Sequence, residues 1–171
     1  MSAEAATKRT LNDEKFMRRA LKLAMIGKAT LGGAEVGCVI VSGGRVLAAG
    51  FNEEKILNDP TAHAEIVTLR RLGATLKTTE FRGMTLYCTL QCCTMCTAAC
   101  IWSKVSRIVY GATRKDVHSM YFDTRDLNTA DLVADAFKDD TEVVGGVLKN
   151  ECAALYVGAD EFVPISQQSN R

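Results

Sequence analysis

Residues 85–111 read TLYCTLQCCTMCTAACIWSKVSRIVYG. Two short apolar runs, Thr85 to Leu90 and Val105 to Gly111, bracket a helical stretch that begins near Thr94. Their length and their β-branched and aromatic content mark both runs as strands. Strand, helix and strand in that order imply parallel pairing through a right-handed crossover. Cys93-Thr94-Met95-Cys96 falls at the turn from the first strand into the helix. A helix N-terminus lowers thiol pKa, as thiolate–metal bonding requires.

Working outward, His63-Ala64-Glu65 opens a second helix, expected over about 62–72, with Ile66, Leu69 and Leu72 packing beneath it. Asn58-Asp59-Pro60 is the turn ahead of it. Alone, His63 reads as an ordinary histidine, and Cys-x-x-Cys as a redox pair or half of a structural zinc site. Together, each opening a helix at the same end of one sheet, they supply an imidazole and two thiols. Three protein ligands leave the fourth tetrahedral position for water, which is the pattern of a catalytic zinc site. His63, Cys93 and Cys96 are therefore the candidate ligands for one zinc per chain. Glu65, two residues from His63, is placed to handle the protons of the attacking water. Cys92 can pair with Cys96, but that spacing pulls the metal off the helix start. Cys92 and Cys100 are read instead as buried bystander thiols.

The remaining elements complete an α/β chain. A helix over about 13–27 follows a loose arm at 1–11 and presents Phe16, Ala20, Leu23 and Ala24 on one side. Lys15, Arg18, Arg19 and Lys22 form a basic stripe, read as a solvated face. Gly32-Gly33 breaks the chain. Val36 to Val41 is a buried strand, and Ser42-Gly43-Gly44-Arg45 turns it into a hairpin with Val46 to Ala49. Later come a helix around 128–138, an edge strand at 141–144, a last helix over 146–156 and a tail at 157–171. The 171 residues fit a single domain.

Composition narrows the classes. Net charge is +1, too small to argue by itself for a nucleic-acid partner. No stretch approaches the roughly eighteen apolar residues of a membrane span, and the N-terminal segment has no apolar signal core. Seven cysteines, four of them between 92 and 100, do not resemble a secreted disulfide framework; a reducing cytoplasm and a metal site explain them better.

Asn58-Asp59-Pro60-Thr61-Ala62-His63-Ala64-Glu65-Ile66, with Cys93-Thr94-Met95-Cys96, resembles the zinc-ligand segments of the cytidine-deaminase-like superfamily. Within it the chain looks most like bacterial guanine deaminases, in a branch shared with cytosine and tRNA adenosine deaminases. The resemblance covers roughly residues 13–156 and implies a three-layer α/β/α sandwich with a five-stranded mixed sheet, commonly a homodimer. It implies that His63, Cys93 and Cys96 bind zinc and that Glu65 is the proton shuttle. It further implies that Asn52 holds the substrate base and that Asp123 is a second acidic group at the site. The chain departs from the branch at Gln91-Cys92, where the family reads Glu-Pro, and at Glu35, where a proline is common.

The expectation is hydrolytic deamination of a small-molecule purine base, guanine first. Adenosine in tRNA comes second, since the C-terminal tail offers few cations for phosphate. Cytosine deamination and a zinc-binding pseudoenzyme follow.

Overall fold

The computed structural model describes residues 11–31, 36–137 and 140–168. Helix α1 (Leu11–Leu31) leads into a hairpin of β1 (Gly37–Ser42) and β2 (Arg45–Phe51). A single-turn helix α2 (Glu54–Leu57) precedes α3 (Ala64–Leu76), then come β3 (Thr85–Leu90), α4 (Thr94–Trp102) and β4 (Arg107–Ala112). A 3-10 turn at Ser119–Tyr121, α5 (Thr129–Ala134), β5 (Glu142–Val144) and α6 (Lys149–Ala153) complete the order, with a last 3-10 turn at Ile165–Gln167.

The sheet runs β2-β1-β3-β4-β5. Strand β1 pairs antiparallel with β2 and β3, while β3–β4 and β4–β5 are parallel. This is the expected five-stranded mixed sheet. Gly43 and Gly44 hold the hairpin turn at φ +55° and +72°, the two left-handed positions of a type I′ turn. Helices cover both faces. α1 crosses Gly37 so closely that a Cβ there would lie 2.0 Å from the Ala20 carbonyl oxygen, and α6 crosses the same face at Gly111. On the other face α3 rests against Gly50. Cys38 and Cys88, in register with Gly50 across β1, β2 and β3, point to that second face.

Several expectations shift. α1 extends to 11–31 rather than 13–27, and it buries Phe16, Met17, Ala20, Leu21 and Ala24 while Leu23 is only half-buried. The buried face is made of two adjacent i, i+4 rows, Phe16-Ala20-Ala24 and Met17-Leu21, which leaves Leu23 at its edge. α3 starts at Ala64 with His63 as its N-cap and continues to Leu76. α6 is shorter than the 146–156 expected because Leu148, at φ +52°, sets its start. α5 ends at Ala134, short of the 128–138 expected. The arm expected at 1–11 lies outside the described residues except for Leu11, as does the Gly32-Gly33 break. Among the described residues no helix is long and apolar enough to cross a membrane.

One ionic knot ties α1 to the sheet. Asp13, 1% exposed, accepts from Arg107 Nη1 (2.7 Å) and Nη2 (3.1 Å) and from the Tyr87 hydroxyl (2.8 Å). In sequence Asp13 is simply the start of the expected 13–27 helix; its principal partner lies 94 residues away.

Candidate metal centre

The starts of α3 and α4 meet on one face of the sheet. His63 and Cys93 are their N-cap residues, both extended (φ/ψ −63°/155° and −70°/174°), and neither side chain caps its own helix. An N-cap that withholds its side chain leaves orphan N–H groups in the first turn. Other residues supply the acceptors. Asn52 Oδ1 accepts from Ala64 N at 2.8 Å, and Asp123 Oδ1 accepts from Thr94 N at 3.4 Å. Asp123 also accepts from the Thr94 hydroxyl. His63 and Cys93 are thereby free to turn toward each other.

His63 Nδ1 lies 3.6 Å from Cys93 Sγ and 3.6 Å from Cys96 Sγ. Zinc bonds of about 2.0 Å to nitrogen and 2.3 Å to sulfur, at a tetrahedral angle, set nitrogen and sulfur about 3.5 Å apart. Both nitrogen–sulfur spacings match a bound zinc to about 0.1 Å, and all three ligand atoms lie within 4.8 Å of one another. Both cysteines are buried, whereas the His63 side chain is 31% exposed, so the site opens on the imidazole side. The other ring nitrogen, Nε2, stands 3.5 Å from Glu54 Oε1, the kind of carboxylate that orients a metal-binding histidine.

The electrostatics favour a cation. Hydrogen bonds from Cys96 and then His63 hold the Cys93 thiol down to about 5 against the cost of burial. The Cys93 sulfur and the Glu54 carboxylate raise His63 to about 11. An imidazolium–thiolate pair is the metal-free form of this site, and a bound metal takes the place of the proton. Glu65, 4% exposed, is pushed well above the ordinary carboxyl range, first by burial and then by the Cys88 and Cys93 sulfurs. A carboxyl shifted in that direction, toward the range in which protons are both taken up and returned, is suited to proton transfer.

The sequence-selected residues His63, Glu65, Cys93 and Cys96 are thus gathered in one place. Asn52 and Asp123 flank them, and Asn52 Nδ2 donates to Glu54 Oε2 at 3.2 Å. Cys100 is fully buried, and Cys92 is 2% exposed. Gln91 accepts from Arg114 N through Oε1 at 3.0 Å.

Sequence reasoning missed Glu54, Thr94 and Arg114. Arg114 donates through Nη1 to the carbonyls of Thr124 (3.0 Å) and Arg125 (2.6 Å) and stacks 4.6 Å from the Phe122 ring centre, fixing the loop that carries Asp123. No local pattern marks any of the three.

The model of the cytidine and deoxycytidylate deaminase zinc-binding region matches residues 10–112. A tRNA-specific adenosine deaminase of Haemophilus influenzae is 36% identical over 156 residues, spanning 88% of this chain and 84% of its own length. A guanine deaminase of Bacillus subtilis is 34% identical over 113 residues, 66% of this chain and 72% of its own. Among solved structures, guanine deaminase from Nitrosomonas europaea has a TM-score of 0.74 at 27% identity, covering 89% of this chain and 87% of its own. A structure from a study of tRNA:A34 deaminases has a TM-score of 0.67 at 30% identity, covering 82% of this chain and 98% of its own. The chain belongs to the cytidine and deoxycytidylate deaminase zinc-binding family, and it is a zinc-binding deaminase.

Proposed function

We propose that this deaminase hydrolyses the exocyclic amine of a purine base, with an adenosine presented in a tRNA loop as its substrate. The supporting observation is the reach of the similarity. Likeness to the tRNA-specific enzyme of Haemophilus influenzae spans 88% of the chain, whereas likeness to the Bacillus subtilis guanine deaminase spans 66%. This reverses the order expected from the sequence alone. Guanine is the second reading, favoured by the higher TM-score of the Nitrosomonas europaea enzyme, 0.74 against 0.67. With a net charge of only +1, RNA contact would depend on local cations. Lys55, Lys115 and Arg125, all exposed, lie on the segments that flank the site.

In this reading His63, Cys93 and Cys96 hold the zinc. The metal, when bound, supplies the Lewis acidity that brings the pKa of water toward neutrality. Glu65 accepts the proton of the attacking water and passes it to the ring nitrogen beside the amine-bearing carbon. Glu65 then takes the proton of the newly added hydroxyl and gives it to the amine, the carbon–nitrogen bond breaks and ammonia leaves, so that base and water become the carbonyl base and ammonia. Burial raises the Glu65 pKa, which favours the return of each accepted proton to the substrate. The Asn52 Nδ2 hydrogen not given to Glu54 is the donor offered to the base edge, held in place by the Oδ1 bond to Ala64 N. Asp123 forms the opposite wall through Thr94.

A cytoplasmic homodimer is part of the same proposal. Support comes from α4, which carries no charged residue and leaves Trp102 85% exposed. Sedimentation velocity tests it.

The substrate test incubates zinc-loaded protein with adenosine-bearing tRNA anticodon stem-loops and, separately, with guanine. Inosine in the RNA with guanine untouched supports the proposal. Xanthine alone moves the assignment to the second reading, and neither product overturns both.

A further inference from the structure

The thiols that deamination leaves unused are grouped. Cys38 and Cys88 face each other across β1 and β3, both fully buried, on the side of the sheet that α3 covers. Cys92 follows β3 and is 2% exposed. Glu65, Cys88 and Cys92 are all buried, and one ligand atom from each lies within 4.8 Å of the others. This set shares no residue with His63, Cys93 and Cys96, which form their own group by the same measure.

We propose that Glu65, Cys88 and Cys92 form a second cation site, for thiophilic metals, next to the candidate zinc centre, and that filling it switches the enzyme off. The span suits such an ion. Metal–sulfur bonds of about 2.3 Å place two sulfurs about 4.0 Å apart in a trigonal arrangement and about 4.6 Å apart in a linear one. Small rotations about Cα–Cβ bring atoms within 4.8 Å to those separations. Two thiolates select soft cations over magnesium or calcium. On binding, the protons held by Cys88, Cys92 and Glu65 pass to solvent, and the cation offsets the charge of two thiolates and a carboxylate in a buried place.

Inhibition follows from a shared residue. A carboxylate bound to a cation cannot carry protons, so an occupied second site disables Glu65. This half of the inference rests on the reading of Glu65 as proton shuttle. Cys92 makes the site: where the resembling family has proline, this chain has a thiol, and without it only Glu65 and Cys88 remain. Cys92 donates nothing to the zinc centre. Its carbonyl accepts from the Thr129 hydroxyl at 3.2 Å, an interaction that side-chain substitution leaves in place.

The experiment loads metal-free protein with cadmium under a non-thiol reductant. It counts bound cadmium by equilibrium dialysis and follows thiolate-to-cadmium absorption in the ultraviolet. Wild type is expected to bind two cadmium ions per chain, and Cys92→Ser and Cys92→Ala one each. A Cys93→Ser/Cys96→Ser variant is expected to keep a thiolate–cadmium band. In the enzyme carrying one zinc, cadmium is expected to stop ammonia release by wild type at the first equivalent, while Cys92→Ser keeps its basal rate and loses that inhibition. A single cadmium in wild type, or a second one retained in both Cys92 variants, overturns the site. A cadmium bound beside the zinc that leaves the rate unchanged overturns the switch. The cadmium count does not depend on turnover, so absence of deamination would refute the reaction and not the site.

Discussion

Replacing Arg114 with methionine keeps an apolar stem against Phe122 and removes the guanidinium. The lost contacts are the bonds to the carbonyls of Thr124 (3.0 Å) and Arg125 (2.6 Å) and the stack on Phe122. Hydrogen bonds from a charged donor contribute about 1.5–3 kcal/mol each, and a cation–π contact about 0.5–2 kcal/mol. Arg114 is only partly buried, and the freed carbonyls can turn to water, so the sum of the low ends, about 3.5 kcal/mol, is discounted to roughly half. A loss of about 2 kcal/mol is expected, roughly a 30-fold increase in the open population of the 122–127 loop. Trypsin reads this directly, since Arg125 is exposed on that loop and cleavage of an opened segment tracks its population when reclosing is fast. Cleavage after Arg125 should accelerate roughly 30-fold by this estimate while zinc content stays unchanged. KM should rise more than kcat falls, because the loop carries the Asp123 wall and Glu65 is untouched. Arg114→Lys, which keeps the charge and loses the fork, should lie between. Cleavage of Arg114→Met at the wild-type rate would refute the reasoning.

Three further outcomes follow from the geometry. Glu65→Gln, nearly isosteric in a buried position, should retain zinc and lower ammonia release at least about 100-fold; a smaller loss would place the proton transfer elsewhere. Arg107→Met leaves the Asp13 carboxylate buried beside Tyr87 without its guanidinium and should cost about 3–5 kcal/mol in urea unfolding. The Asp13→Leu/Arg107→Met pair should lose less than the sum of its singles, and additive losses would show that the two are not coupled. Asp59 is held down to about 2 by the Thr61 hydroxyl, the Thr61 N–H and Arg70. Its folded pKa lies below the unfolded value of about 3.9, so its support of the turn is complete above pH 4 and fades as pH falls toward 2. Carboxyl carbon NMR measures this, and an Asp59 titration near 3.9 would contradict it.

The parts legible in the sequence are those whose cause is local. β3, α4 and β4 were readable because each is bounded by its own composition, and His63-x-Glu65 and Cys93-x-x-Cys96 because metal chemistry fixes their spacing. The hairpin was readable because Gly43-Gly44 is a turn signal in itself. Contacts across long sequence separations left no such trace. Asp13 looks like an ordinary helix-start acid until Arg107 reaches it, and Arg114 looks like a loop cation until Phe122 and the carbonyls after it close around it. α2 is a single turn, too short for any periodicity. Asn52 and Asp123 were selected as groups that would meet substrate. The geometry adds that each also caps a helix start whose own N-cap side chain is turned to the metal centre. Cys92 reads as a bystander until the register of β1 and β3 sets Cys38 and Cys88 facing each other on the same side of the sheet.

Zinc K-edge X-ray absorption on protein carrying one zinc per chain tests the central claim, that His63, Cys93 and Cys96 hold a metal with one position left open. The expected shell has two sulfurs at about 2.3 Å and one imidazole nitrogen and one oxygen at about 2.0 Å. A shell of three or four sulfurs, or one with no open position, would contradict it.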